Sequence, residues 1–167
     1  MTTYPINELI PMEIVTRLKR IRITNGFALN VVGVVRPDRN ASWTPEDGLI
    51  VLVQDDETPN EELIHPGNPP AIAFDVTYKI HCFVRKSDFL DSPYSTDCNI
   101  FAAQVKKAIV NPITDPGLWY QMAGNAINST WGPTSEYDSS DGSHSGVTLQ
   151  LNVIYRVSET DPYVVRA

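Results

Sequence analysis

The sequence predicts an α+β fold: a mixed, mostly antiparallel sheet flanked by two helices, with elements in the order α-β-β-β-α-β-β. Three observations carry that expectation. Val76, Tyr78, Ile80, Cys82 and Val84 alternate with Asp75, Thr77, Lys79, His81 and, after an apolar exception at Phe83, Arg85. A period of two marks a long strand with one buried face. The pattern returns near the C-terminus, where Val147, Leu149, Leu151, Val153 and Tyr155 alternate with Thr148, Gln150, Asn152 and Arg156, broken only by Ile154. Between the two, Ile100 or Phe101, Val105, Ala108 and Ile109 recur at helical steps.

The first element is an amphipathic helix over residues 6–21, whose stripe is Leu9, Ile10, Ile14, Val15, Leu18 and Ile21. Pro11 either kinks it or occupies the first turn of a helix starting near Ile10. Asn25 and Gly26 supply a stop, and Phe27, Leu29, Val31, Gly33 and Val35 alternate into a first strand. A loop follows, then a short buried strand over 49–53. Residues 54–70 hold Pro59, Pro66, Gly67, Pro69 and Pro70 among carboxylates, and are expected as a long loop. Ser95, Thr96 or Asp97 caps the second helix, which ends before Pro112. A further strand is expected over 126–131, and the polar run 135–146 reads as a long loop at the tip between the last two strands.

A chain of 167 residues is expected to form one domain over 1–167 and to bury roughly 70% of the surface its unfolded chain exposes. Two cysteines, Cys82 and Cys98, make neither a disulfide framework nor a zinc site, so buried free thiols are expected. The N-terminus has neither a basic start nor an apolar run, and no segment is long enough to span a bilayer, so a soluble protein made inside the cell is expected. The net charge of −7 argues against a general nucleic-acid binder, which needs clustered Lys and Arg. Lys19, Arg20 and Arg22 form the one tight basic group, placed to complement the carbonyl end of the first helix.

No catalytic constellation emerges. Ser139, Ser140, Asp141, Ser143 and His144 supply hydrolase residue types, but a glycine-containing loop does not hold a triad to working tolerance. His65, His81 and His144 lie in separate segments, so no metal site is expected. The run Asp55, Asp56, Glu57 lacks the glycine and ligand spacing of a calcium loop. Gly124 and Gly132 fit no phosphate-binding fingerprint, and no cofactor is expected. Trp43, Trp119 and Trp131 all lie near proline or glycine, where an aromatic pins a loop to the core or anchors a partner.

Taken together, several elements resemble the tail terminator proteins of long-tailed bacteriophages: the N-terminal helix, Asn25-Gly26-Phe27 leading into a strand, the short second strand and the long strand from Phe74 to Arg85. The helix from Asp97 to Val110, with Ala102, Ala103 and Ala108, and the closing strand ending in Val153-Ile154-Tyr155-Arg156-Val157 complete the resemblance, which covers nearly the whole chain. It implies a small α+β virion protein without catalysis or cofactor. Copies would form a hexameric ring that caps the tail tube, ends its polymerisation and joins the tail to the head or neck. The implied partners are further copies of the chain, the tail tube protein and a head-completion or connector protein. DNA would pass through without specific binding, and no membrane is involved. The implied location is the head–tail junction of the virion, after synthesis in the host cytoplasm.

Asp55, Asp56, Glu57, Glu61 and Glu62 are candidates for a docking or channel-lining loop, since carboxylates repel passing phosphates. Trp43, Trp119 and Trp131 are the candidate partner contacts. The nearest rival is another connector, head-completion or tail tube subunit. Rivals from other classes are a small hydrolase using Ser143 or Ser140 with His144, and a monomeric binding module built on the tryptophans.

Overall fold

The computed structural model describes residues 4–37, 46–65, 70–85, 94–111, 118–138 and 144–165. Helix α1 spans Ile6–Leu18, preceded by Pro5, whose carbonyl accepts the amides of Glu8 at 3.0 Å and Leu9 at 3.1 Å. It begins earlier than a first-turn position for Pro11 requires, so Pro11 lies in the helix interior and leaves the Asn7 carbonyl without its usual donor. Ile6, Ile10, Ile14 and Leu18 recur every fourth residue and are all buried. Helix α2, Tyr94–Val110, buries Cys98, Phe101, Ala102, Val105, Ala108 and Ile109.

The sheet has six strands: β1 (Gly33–Val35), β2 (Leu49–His65), β3 (Ala71–Arg85), β4 (Asn128–Asp138), β5 (His144–Ser158) and β6 (Asp161–Val165). They lie in the order β1-β2-β3-β5-β4, with β6 also paired to β5. Only β1 and β2 run parallel; every other pair is antiparallel. The central ladder joins β3 to β5 along their whole lengths, from Ala71↔Ser158 to Arg85↔His144. With two helices and a mixed sheet, this is an α+β fold.

The helix expected over 6–21 ends at Leu18, and α2 already begins at Tyr94, so Ser95, Thr96 and Asp97 lie within it instead of capping it; four further differences each have a physical reason. The first strand is confined to Gly33–Val35, because Phe27 and Val31 are buried along an irregular path in which the Val31 amide donates to the Ile21 carbonyl at 3.0 Å. Residues 54–65 are not a loop: β2 continues through them to His65, with Asp55, Asp56, Glu57, Glu61 and Glu62 on the strand. Charges and a proline suit this stretch because β1 covers only Leu49 to Val51, leaving the outer edge of β2 beyond them unpaired among the described residues. The polar run at 135–146 is likewise strand at both ends, in β4 to Asp138 and in β5 from His144. Finally, β6 was not anticipated; its five residues are too few for a periodic signal.

Alternation divides the sheet into two unlike faces. Ile50, Leu52, Val76, Tyr78, Ile80, Cys82, Val147, Leu149, Leu151 and Val153 form one core with the apolar stripes of both helices. Each large aliphatic fully buried there contributes roughly 1.5–3 kcal/mol. On the opposite face Leu49, Val51 and Phe83 make a small second cluster, which explains the apolar exception at Phe83. Val53, Ala71, Ala73 and Ile154 share that face by register, and between them it carries a polar band of Thr77, Lys79, His81, Thr148, Gln150 and Asn152.

Gly48 stitches the start of β2 to its neighbours. Its amide donates to the Phe83 carbonyl at 2.9 Å, and its carbonyl accepts the Val32 amide at 3.0 Å. Its φ of +76° and the Asn30 carbonyl oxygen, 3.3 Å from where a Cβ would stand, both demand glycine.

Candidate functional site

The five carboxylates singled out by sequence occupy two bulged regions of β2 rather than one surface. Asp55 and Asp56 fall in the first register shift, between Gln54↔Tyr78 and Glu57↔Val76. Asp55 turns to the polar face and meets Lys79 Nζ at 2.7 Å. Glu57, paired with Val76, lies on the helix-bearing face, where it accepts hydrogen bonds from Gln54 Nε2 at 3.0 Å and from the Tyr155 hydroxyl. Burial, followed by that hydrogen bond to Glu57, pushes the Tyr155 hydroxyl well above the usual tyrosine range. Glu61 and Glu62 lie in the second irregularity, between Asn60↔Ala73 and His65↔Ala71, and are exposed, as is Asp56. All five are exposed, and two of them, Asp55 and Glu57, also serve local structure.

The polar sheet face is tied together side chain to side chain. His81 Nδ1 pairs with Thr148 Oγ1 at 2.9 Å, Thr77 Oγ1 donates to Asn152 Oδ1 at 3.1 Å, and Gln150 Nε2 donates to the same oxygen at 2.9 Å. Burial, helped by the Lys79 charge, lowers the His81 pKa. Toward the far end, Asn60 Nδ2 donates to Asp75 Oδ2 at 2.9 Å and Arg156 reaches the Leu63 carbonyl at 3.3 Å. Neither helix contributes to this face.

Both described tryptophans pack partly against the core. Trp119, in a 3-10 turn at Trp119–Gln121, packs against the core and stands edge-on to Tyr120 at 6.4 Å. Trp131 lies on β4, partly buried against the same core, with Lys106 Nζ 5.9 Å from its ring centroid. Trp43 falls outside the described residues, as do Ser139, Ser140, Asp141 and Ser143 of the hydrolase alternative. Among the described residues, no three His, Cys, Asp or Glu side chains converge as a metal site, and no helix is long and apolar enough to cross a membrane.

Sequence reasoning missed Arg17, the one buried cation among the described residues, at 2% exposure. Its Nη1 donates to the carbonyls of Ile109 at 2.8 Å and Trp119 at 2.9 Å, while Nε pairs with Glu13 at 2.7 Å. Arg20 Nη1 donates to the Asn111 carbonyl at 2.9 Å. Cations at the end of α1 thus satisfy carbonyls at the end of α2, a reciprocity that a reading confined to one helix does not contain. The Glu13-to-Arg17 spacing, i to i+4, was the available clue.

The chain matches no known family model and none of the curated proteins.

Proposed function

We propose that this chain is a structural ring subunit of the tail-terminator kind. Its copies close into a hexameric ring that caps a phage tail tube, ends its polymerisation and joins the tail to the head or neck. The observation that carries the proposal is the asymmetry of the sheet. Both helices occupy one face, and the other is a broad polar surface beside the open acidic edge of β2, suited to meeting neighbours. The two-helix, mixed-sheet α+β architecture is compatible with a small α+β ring subunit.

Two details favour a subunit that halts growth over one that builds a tube. The open edge of β2 carries Pro59 and the Asp55-Asp56 bulge, and β4 at the other edge is interrupted at Gly132 and Pro133. Such devices hinder strand addition along those two stretches, leaving the three-residue β1 as the unblunted edge among the described strands. On this proposal the exposed Asp56, Glu61 and Glu62 face the DNA path and keep phosphates from adhering.

Light scattering on a sizing column, with negative-stain images of the same fractions, tests the proposal. A closed ring, or a monomer that becomes one on meeting tail tubes, supports it. Long tubes assign the chain to tube subunits, and a monomer indifferent to tubes removes it from both classes. Replacing Asp56, Glu61 and Glu62 with their amides is expected to impede DNA passage in assembled particles; unimpeded passage refutes the channel role.

A further inference from the structure

A groove of about 350 Å³ opens beside β1, between the segment leading into that strand and the first turns of α2. That volume falls in the range of sites that hold a small ligand or one or two side chains. Its walls are Leu29, Val32, Val84, Ile100 and Phe101. Val32 is 64% exposed and Ile100 41%, so apolar surface faces water at its mouth. Asp47 and Asp97 stand on the same lining. Asp47 also has an interaction of its own; Asp97 lies in the first turn of α2, beside Ile100 and Phe101 on the groove's α2 wall.

The strand beside the groove differs from the other open edges. Among the described residues β1 ends the sheet on its side, and it consists of Gly33, Val34 and Val35, with neither proline nor charge. The open edges of β2 and β4 carry Pro59 and Pro133. An unblunted edge strand next to an apolar groove is the arrangement to which extended segments add, with main-chain bonds to the edge and a side chain in the pocket.

We propose that this groove docks an extended segment of another protein, one carrying an aliphatic or aromatic residue with Lys or Arg two positions away. Along an extended chain, residues two apart project from the same face. The apolar side chain fills the space between Val32 and Ile100, and the cation meets Asp97. This docking does not depend on whether the chain forms a ring, so its test reads peptide binding and not assembly.

The probe is a rhodamine-labelled peptide, Ser-Thr-Thr-Leu-Thr-Arg-Ser, titrated by fluorescence anisotropy against the full chain. A second peptide carries Glu in place of Arg and a third Ser in place of Leu. Saturable binding of the first peptide is expected, with the other two at least about tenfold weaker. Val32→Glu, at a largely exposed position, is expected to abolish binding while leaving the melting temperature unchanged. Asp97→Lys is expected to reverse the preference between the Arg and Glu peptides, a gain that mere misfolding does not produce. Absence of binding at millimolar protein, equal binding of all three peptides, or indifference to Val32→Glu or Asp97→Lys overturns the proposal. A concentration-dependent dimer abolished by Val32→Glu would assign the groove to a second copy of the chain and would equally overturn it.

Discussion

The two faces of the sheet divide the work of the molecule. On the helix side, Ile50, Leu52, Tyr78, Ile80 and Leu149 are almost wholly removed from water. On the other, Asp55, Lys79, Thr77, His81, Thr148 and Asn152 are linked by pairs such as Asp55 with Lys79, each about 40% exposed. The first face pays for chain entropy through area and close packing; the second contributes little stability but fixes which polar groups the surface presents. The contrast predicts that equal-sized deletions on the two faces have very unequal effects.

The largest effect is expected from the centre of the helix side. Ile80→Ala should cost about 2–5 kcal/mol in urea unfolding, because the site is sealed by both helices. A loss below about 1 kcal/mol would break the contrast. Next comes Arg17→Ala, which leaves the Ile109 and Trp119 carbonyls and Glu13 without their donor; about 2–4 kcal/mol is expected in the same assay.

The two buried tyrosines sharpen the comparison within one face. Tyr155 donates to Glu57, whereas the Tyr78 hydroxyl is buried without a hydrogen-bond partner. Tyr155→Phe should therefore cost about 1 kcal/mol, and Tyr78→Phe should be neutral or stabilising. Burial first, and the Glu57 charge with it, holds both hydroxyls neutral above the usual value of 10.0. In the unfolded chain they ionise near that value, so their contribution is intact below pH 10 and is lost as pH rises beyond it. Absorbance titration of tyrosinate should show these two ionising only as the protein unfolds.

The smallest effects belong to the polar face. Lys79→Ala should change stability by less than about 1 kcal/mol, since its ion pair with Asp55 is well solvated. His81 has a folded pKa below 6.5, so the unfolded state binds more protons in that range. Stability should accordingly decline as pH falls through 6.5 toward the folded pKa, and His81→Gln should flatten that slope in denaturant unfolding.

What the sequence disclosed follows the same division. β3 and β5 were legible because each has one wet and one dry face, and a dry face leaves a period of two. The chemistry of β2 beyond Val53 concealed it: an open edge recruits carboxylates and proline, the residues that elsewhere announce a loop. Phe27 and Val31 were rightly apolar yet misplaced in a strand, since burial does not require a ladder. Arg17 was invisible as a core residue because its partners, two carbonyls from distant segments, have no sequence identity to read. The groove beside β1 was equally hidden, being assembled from residues 28–32, 47–48, 84 and 97–101.

Cys82 and Cys98 are both buried at the layer where the sheet meets α2. Burial, reinforced by the neighbouring Cys98, raises the Cys82 thiol far above its solution range, which leaves almost no thiolate to react. An alkylating reagent therefore modifies Cys82 only during moments when the helix layer lifts from the sheet. The rate of thiol labelling becomes a built-in clock of that lifting, running in the unaltered protein and stopping if assembly clamps the two layers together.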